Sequence, residues 1–105
     1  MEVPKYMQQG SSGPCVQILA AFLVKQQTVP CDFIPNQHFG QNLTKMLREY
    51  QGDEGLQVDG GCGPETRRNM KNYDFHFDDF CRHTTGVTKF VQPDGSVIEY
   101  DPAAP

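Results

Sequence analysis

At 105 residues the chain has room for one domain, and not for a catalytic domain beside a separate binding one. Apolar residues make up 37% of it and the mean hydropathy is -0.57; the core is therefore modest and little area is left to bury a large substrate pocket, which favours a surface binder over an enzyme. The net charge of -4, with no Lys/Arg run longer than Arg67-Arg68, lacks the electrostatic footprint of a nucleic-acid binder, and the longest apolar run, residues 18–24, falls far short of the ~20 residues of a membrane span.

In chain order, Gly10-Ser11-Ser12-Gly13-Pro14 predicts a helix start, with a serine accepting from the free N–H groups and Pro14 in the first turn. A helix over residues 15–26 follows, because Val16, Leu19 and Leu23 share one face and Cys15, Ile18 and Phe22 widen it. It is expected to stop near Gln27, before the β-branched Thr28 and Val29 and before Pro30, which cannot continue the ladder. Residues 30–38, with two prolines and several turn formers, read as an ordered loop ending at Phe39-Gly40.

A second helix begins there. Leu43, Met46, Leu47 and Tyr50 lie at i, i+3, i+4 and i+7, with Lys45, Arg48 and Glu49 on the wet side, and Gly52 and Gly55 end it. After the glycine loop of residues 55–63, Pro64 in a first-turn position and Glu65 at the positive end of the dipole predict a third helix over residues 64–73. Thr66, Met70 and Tyr73 should face inward and Arg67, Arg68 and Lys71 outward. Residues 74–81 mix aromatics and acids, and read either as a fourth short helix or as an extended arm. Residues 87–92 and 96–100 are β-rich runs around Pro93-Asp94-Gly95, a hairpin that must pack against helices or a partner. Residues 101–105 read as a frayed tail or the start of a linker.

No catalytic set emerges. The adjacent acids Asp53 and Glu54, and Asp78 and Asp79, would project apart, HExxH is absent, and a Cys81–His83 pairing lacks an orienting partner. His76, Cys81 and His83 lack a fourth ligand, so neither a metal nor a cofactor is expected. Cys15, Cys31, Cys62 and Cys81 form no CxxC pair. In an oxidising compartment they could form two disulfides in any of three connectivities; in a reducing one they are four thiols, some of them core fillers. A small domain of low apolar content gains most from staples, which favours the oxidising reading. The N-terminus lacks the charged-then-apolar order of a signal peptide, which leaves a cytosolic protein or a mature form whose leader has been removed.

Three stretches together resemble the peptidoglycan-binding domain family. These are Gly10-Ser11-Ser12-Gly13 with the apolar helix behind it, Phe39-Gly40 with the helix ending at Tyr50-Gln51, and Gly55-Leu56-Gln57-Val58-Asp59-Gly60-Gly61-Cys62-Gly63-Pro64-Glu65-Thr66. The likeness spans about residues 7–70. Asn36-Gln37, Leu43 and Ala20 depart from the family pattern, and everything from Lys71 onward lies outside it.

The resemblance implies a mainly α fold, a three-helix bundle, to which the β-rich runs around Pro93-Asp94-Gly95 append a C-terminal β-hairpin. The chain would be one domain, residues 1–105, with a core over residues 7–73 and an extension over 74–105. It also implies non-catalytic binding of a muropeptide stem or glycan at the cell wall or outside the cell, targeting a hydrolase, phage particle or effector; neither nucleic acid nor membrane is an expected partner. On the same fold, a protein-interaction module is the alternative. The ligand contacts it implies are Phe39, Gly40, Asn42, Tyr50, Asp59, Gly60, Cys62, Gly63 and Thr66. Their logic is that helix N-termini leaving glycine loops suit carboxylates, while amides, hydroxyls and aromatic faces suit peptide and sugar. A competing reading makes the glycines simple turn formers and places Phe39 and Tyr50 in the core, which the helical stripe favours for Tyr50.

Overall fold

A computed structural model describes residues 2–27 and 32–104. Helix α1, Pro14–Gln26, runs through the centre and buries Cys15, Val16, Leu19, Ala20, Phe22 and Leu23. It starts one residue before the predicted point, and it has no side-chain cap. The serines expected to cap it do other work: Ser11 Oγ accepts the Val91 N–H (2.9 Å), and Ser12 exchanges both backbone bonds with Lys89 (3.0 and 2.7 Å). Gly13 sits at φ 129 with its Cα against the Thr88 backbone, where a Cβ would lie 2.6 Å from Thr88 Cα. The chain leaves α1 at an extended Gln27; the stop signals at residues 28–30 lie outside the described residues.

Helix α2, Gln41–Asp53, buries Leu43, Met46, Leu47 and Tyr50 as the spacing predicts. Its end is a Schellman motif, with Leu56 N–H donating to Gln51 O (2.8 Å) and Gly55 N–H to Gly52 O (3.2 Å), and with Gly55 at φ 72. Of the two glycines expected to end the helix, Gly55 does so, while Gly52 lies inside it.

Helix α3, Pro64–Met70, is shorter than predicted and tightens into a 3-10 turn, Lys71–Tyr73, that ends at a left-handed Asp74. Two of its side chains reverse expectation. Tyr73 is 44% exposed, its hydroxyl donating to Glu54 (2.6 Å), and Arg67 is only 7% exposed. Arg67 turns inward because its guanidinium has three partners there: the Pro4 carbonyl (2.7 Å), Asp78 (3.2 Å) and the face of Phe77 (4.7 Å).

The segment left open between helix and arm contains helix α4, Phe77–Arg82, which buries Phe77 and Cys81. The hairpin forms as β1, Thr88–Val91, and β2, Val97–Tyr100, antiparallel with Phe90 opposite Ile98. Asp94 accepts from Ser96 N–H (2.9 Å), and Gly95 takes φ 89 in the turn.

The architecture is four helices with a hairpin, rather than a three-helix bundle carrying an attachment. The reason lies in the core: Phe77, Phe90 and Tyr100 are each at most 1% exposed, and α1 packs against α4 and β1 as well as α2. The N-terminal segment laces these parts together. Ser12 bridges β1 on one side and His38 on the other, Gly10 N–H donates to Phe39 O (2.9 Å), and Met7 pairs with Cys62 (3.2 and 2.8 Å). Among the described residues no helix is long and apolar enough to cross a membrane.

Candidate functional site

The loop between α2 and α3 is built around one buried side chain. Gln51, 1% exposed, offers its Oε1 to the N–H groups of Asp59 (3.2 Å) and Gly60 (3.0 Å). Its Nε2 donates to Asp59 Oδ1 (3.0 Å), Gly61 O (2.9 Å) and Thr66 Oγ1 (3.1 Å). Asp59 then caps the turn by accepting the Gly61 N–H (2.9 Å). A buried primary amide costs little only when its donors and acceptor are all used, and here they are.

The far side of this loop is covered. Gly61 and Gly63 lie under the Tyr6 ring, so closely that no side chain would fit at Gly61. The expected contact residues therefore separate by burial. Phe39, Tyr50, Cys62 and Thr66 are at most 6% exposed, and Gly60 and Gly63 are buried as well. Tyr50 Oη donates to Asn69, and its ionisation is pushed up by burial and by Glu54. Gly40 is half-buried at the N-cap of α2, and Asn42 and Asp59 are exposed.

Beside Asp59-Gly60 the outer face of α2 forms a groove of about 350 Å³. Thr44, Lys45, Arg48 and Glu49 line one wall and Gln9 the other, with Gln41 at one end. Thr44 Oγ1 donates to Gly40 O (2.9 Å), which fixes its place on the first turn. Gly60, at φ 75, lets Arg48 lie against the loop: a Cβ there would stand 2.9 Å from Arg48 Nε. The groove thus offers amide, hydroxyl, guanidinium, ammonium and carboxylate groups within one short helical face. The Gly61 and Gly63 pair was a legible signal that another segment crosses the loop, but nothing in the sequence named Tyr6 as that segment or brought Gln9 to α2.

The cysteines form part of the core. Cys15, Cys62 and Cys81 are free and buried, so the disulfides expected among them are not formed; Cys31 lies outside the described residues. Cys15 and Cys81 meet between α1 and α4. The hydrogen bond from Cys81 lowers the Cys15 thiol to about 7, aided by the Thr88 and Thr84 hydroxyls and Arg67, and the same bond pushes Cys81 up. Burial raises Cys62, against a smaller opposing pull from Arg67.

Comparison with known proteins places residues 17–70, just over half of the chain, within the sequence pattern of the peptidoglycan binding domain family. No curated protein and no solved structure matches the chain.

Proposed function

Because the chain belongs to the peptidoglycan binding domain family, we propose that it is a non-catalytic module that binds the muropeptide stem of the cell wall in the groove along α2. The observation that carries this reading is the groove itself, with Thr44, Arg48 and Gln9 set at the edge of the Asp59-Gly60 loop. A stem peptide presents amides and carboxylates, which the Thr44 hydroxyl, the Gln9 and Gln41 amides and the Arg48 and Lys45 cations complement. Asp59 and Asn42 are the exposed residues that extend the contact, while Phe39, Gly40, Tyr50, Gly60, Cys62, Gly63 and Thr66 shape the scaffold beneath it. The whole chain acts as one domain, outside the cell at the wall, and holds a hydrolase, phage particle or effector there. Purified sacculi should enrich the protein over an acidic control of equal size, and Thr44, Arg48 and Asp59 amide resonances should shift with soluble muropeptide. Equal recovery of protein and control would end the reading.

One observation favours a second reading, a protein-interaction module. β2 has β1 as its strand partner and presents Val97 (54% exposed) and Ile98 (43% exposed) on the hairpin. Ile98→Asp is the informative change there; Phe90 is fully buried, so Phe90→Asp would test folding instead.

A further inference from the structure

A second cleft, of about 550 Å³, opens on another part of the molecule, between the N-terminal segment, α3 and α4. Five of the chain's nine lysines and arginines line it: Lys5, Arg67, Arg68, Lys71 and Arg82. Of its three acids, Asp78 is paired with Arg67 (3.2 Å) and Asp79 with Arg82 (2.7 Å), which leaves Glu2 as the cleft's carboxylate outside any ion pair among the described residues. Lys5, Arg68 and Lys71 have no side-chain partner among the described residues. In a chain of net charge -4, three unpaired cations against the one unpaired carboxylate of Glu2 leave an excess of positive charge around one concavity.

The wall of the cleft adds an independent observation. Arg67 has a side chain only 9% exposed, and its Nε and Nη2 have no hydrogen-bond partner among the described residues. Its one carboxylate partner, Asp78, is itself 46% exposed and can swing away. A buried guanidinium left with two unsatisfied nitrogens is costly; both are closed off from solvent, so an oxyanion in the cleft offsets the cost through its charge and through Nη1, the donor that Asp78 holds.

We propose that this cleft binds a small ligand bearing two or more oxyanions, with Arg68, Lys71 and Lys5 holding the outer groups and Arg67 the innermost. Arg67 and Arg68 lie within the residues shared with the family, while Lys5, Lys71 and α4 lie outside them, so the cleft is completed by what the chain adds to the family core. It does not depend on wall binding through α2. The oxyanions could be carboxylates or phosphates, and two probes separate these.

The test titrates citrate and, separately, inorganic pyrophosphate into the full chain at constant ionic strength, with sodium chloride as the control, following amide shifts by NMR and affinity by calorimetry. At least one probe should shift Arg68, Lys71, His76 and Phe77 beyond the control, and the responding probe gives the oxyanion class. Arg68→Glu with Lys71→Glu, both at exposed positions, should weaken that binding about tenfold or more while leaving the fold intact. Arg67→Lys should also weaken it, since lysine keeps the charge but loses the planar donors. Shifts no larger than those with chloride, or a charge-reversed variant that binds as tightly as the parent, would overturn the proposal.

Discussion

The side chain of Gln51 holds the backbone of Gly60 by accepting its N–H at 3.0 Å, and through the same amide it holds Asp59, Gly61 and Thr66. One residue of α2 therefore fixes the loop that leads into α3. Gln51→Leu keeps the bulk and leaves the loop's buried N–H and C=O groups without partners. The expected loss is about 2–4 kcal/mol of unfolding free energy. Urea unfolding measures it, and a change within about 0.5 kcal/mol would mean the loop holds itself.

Gly61 and Tyr6 offer a cleaner pairwise test. Gly61→Ala should destabilise the fold by about 1–3 kcal/mol, because the Tyr6 ring must move and the Met7–Cys62 bonds move with it. In the Tyr6→Ala background the same substitution should cost much less. A double-mutant cycle with no coupling would show that Tyr6 does not cover the loop.

Arg48 is exposed and lies against Gly60 in the α2 groove, so Arg48→Ala should leave the thermal midpoint unchanged and weaken sacculus binding about five- to tenfold, the size of one charged contact. Full retention of binding by Arg48→Ala would move the ligand site off this face.

Truncation tests whether the C-terminal third is an extension or part of the core. Phe77→Ala should cost about 3–5 kcal/mol, as for a fully buried phenylalanine. A chain ending at residue 73 also loses Cys81, Phe90 and Tyr100 from the face of α1 and should fail to give a dispersed NMR spectrum. A cooperative unfolding transition in the truncated chain would restore the three-helix unit as the folding domain.

The buried thiols set the pH response of the reduced protein. Cys15 is lowered to about 7 from 9.0, so its contribution is present above pH 9 and is lost as pH falls through 7. Cys62 and Cys81, and Tyr6, Tyr50 and Tyr100, are raised, so theirs are present below the unfolded values of 9.0 and 10.0 and are lost as pH climbs past them. The urea midpoint should therefore rise from pH 6 to between 8 and 9 and fall steadily beyond. Cys15→Ala should flatten the rise and keep the fall; an unchanged rise would assign it to other groups.

Much of this was readable in one dimension. The stripes at Val16, Leu19 and Leu23 and at Leu43, Met46, Leu47 and Tyr50 placed α1 and α2, since a period near 3.6 has few other solutions. Pro93-Asp94-Gly95 placed the hairpin turn. Arg67 and Tyr73 were misjudged because helical phase is blind to what lies opposite: a guanidinium turns inward when a carbonyl, a carboxylate and an aromatic face wait there. The contact residues inferred by resemblance mixed buried with exposed positions for the same reason, as Cys62 is wholly buried and Gly63 is beneath Tyr6.

By itself the sequence determined the family, the helical stripes, the glycine loop and the hairpin, all of which rest on interactions between residues near in the chain or on a motif of fixed spacing. Only the tertiary structure decided that residues 74–104 complete the core, that the N-terminal segment closes the glycine loop, and that cations scattered from Lys5 to Arg82 share one cleft. These depend on contacts between residues far apart in the chain, whose partners no local period or spacing specifies.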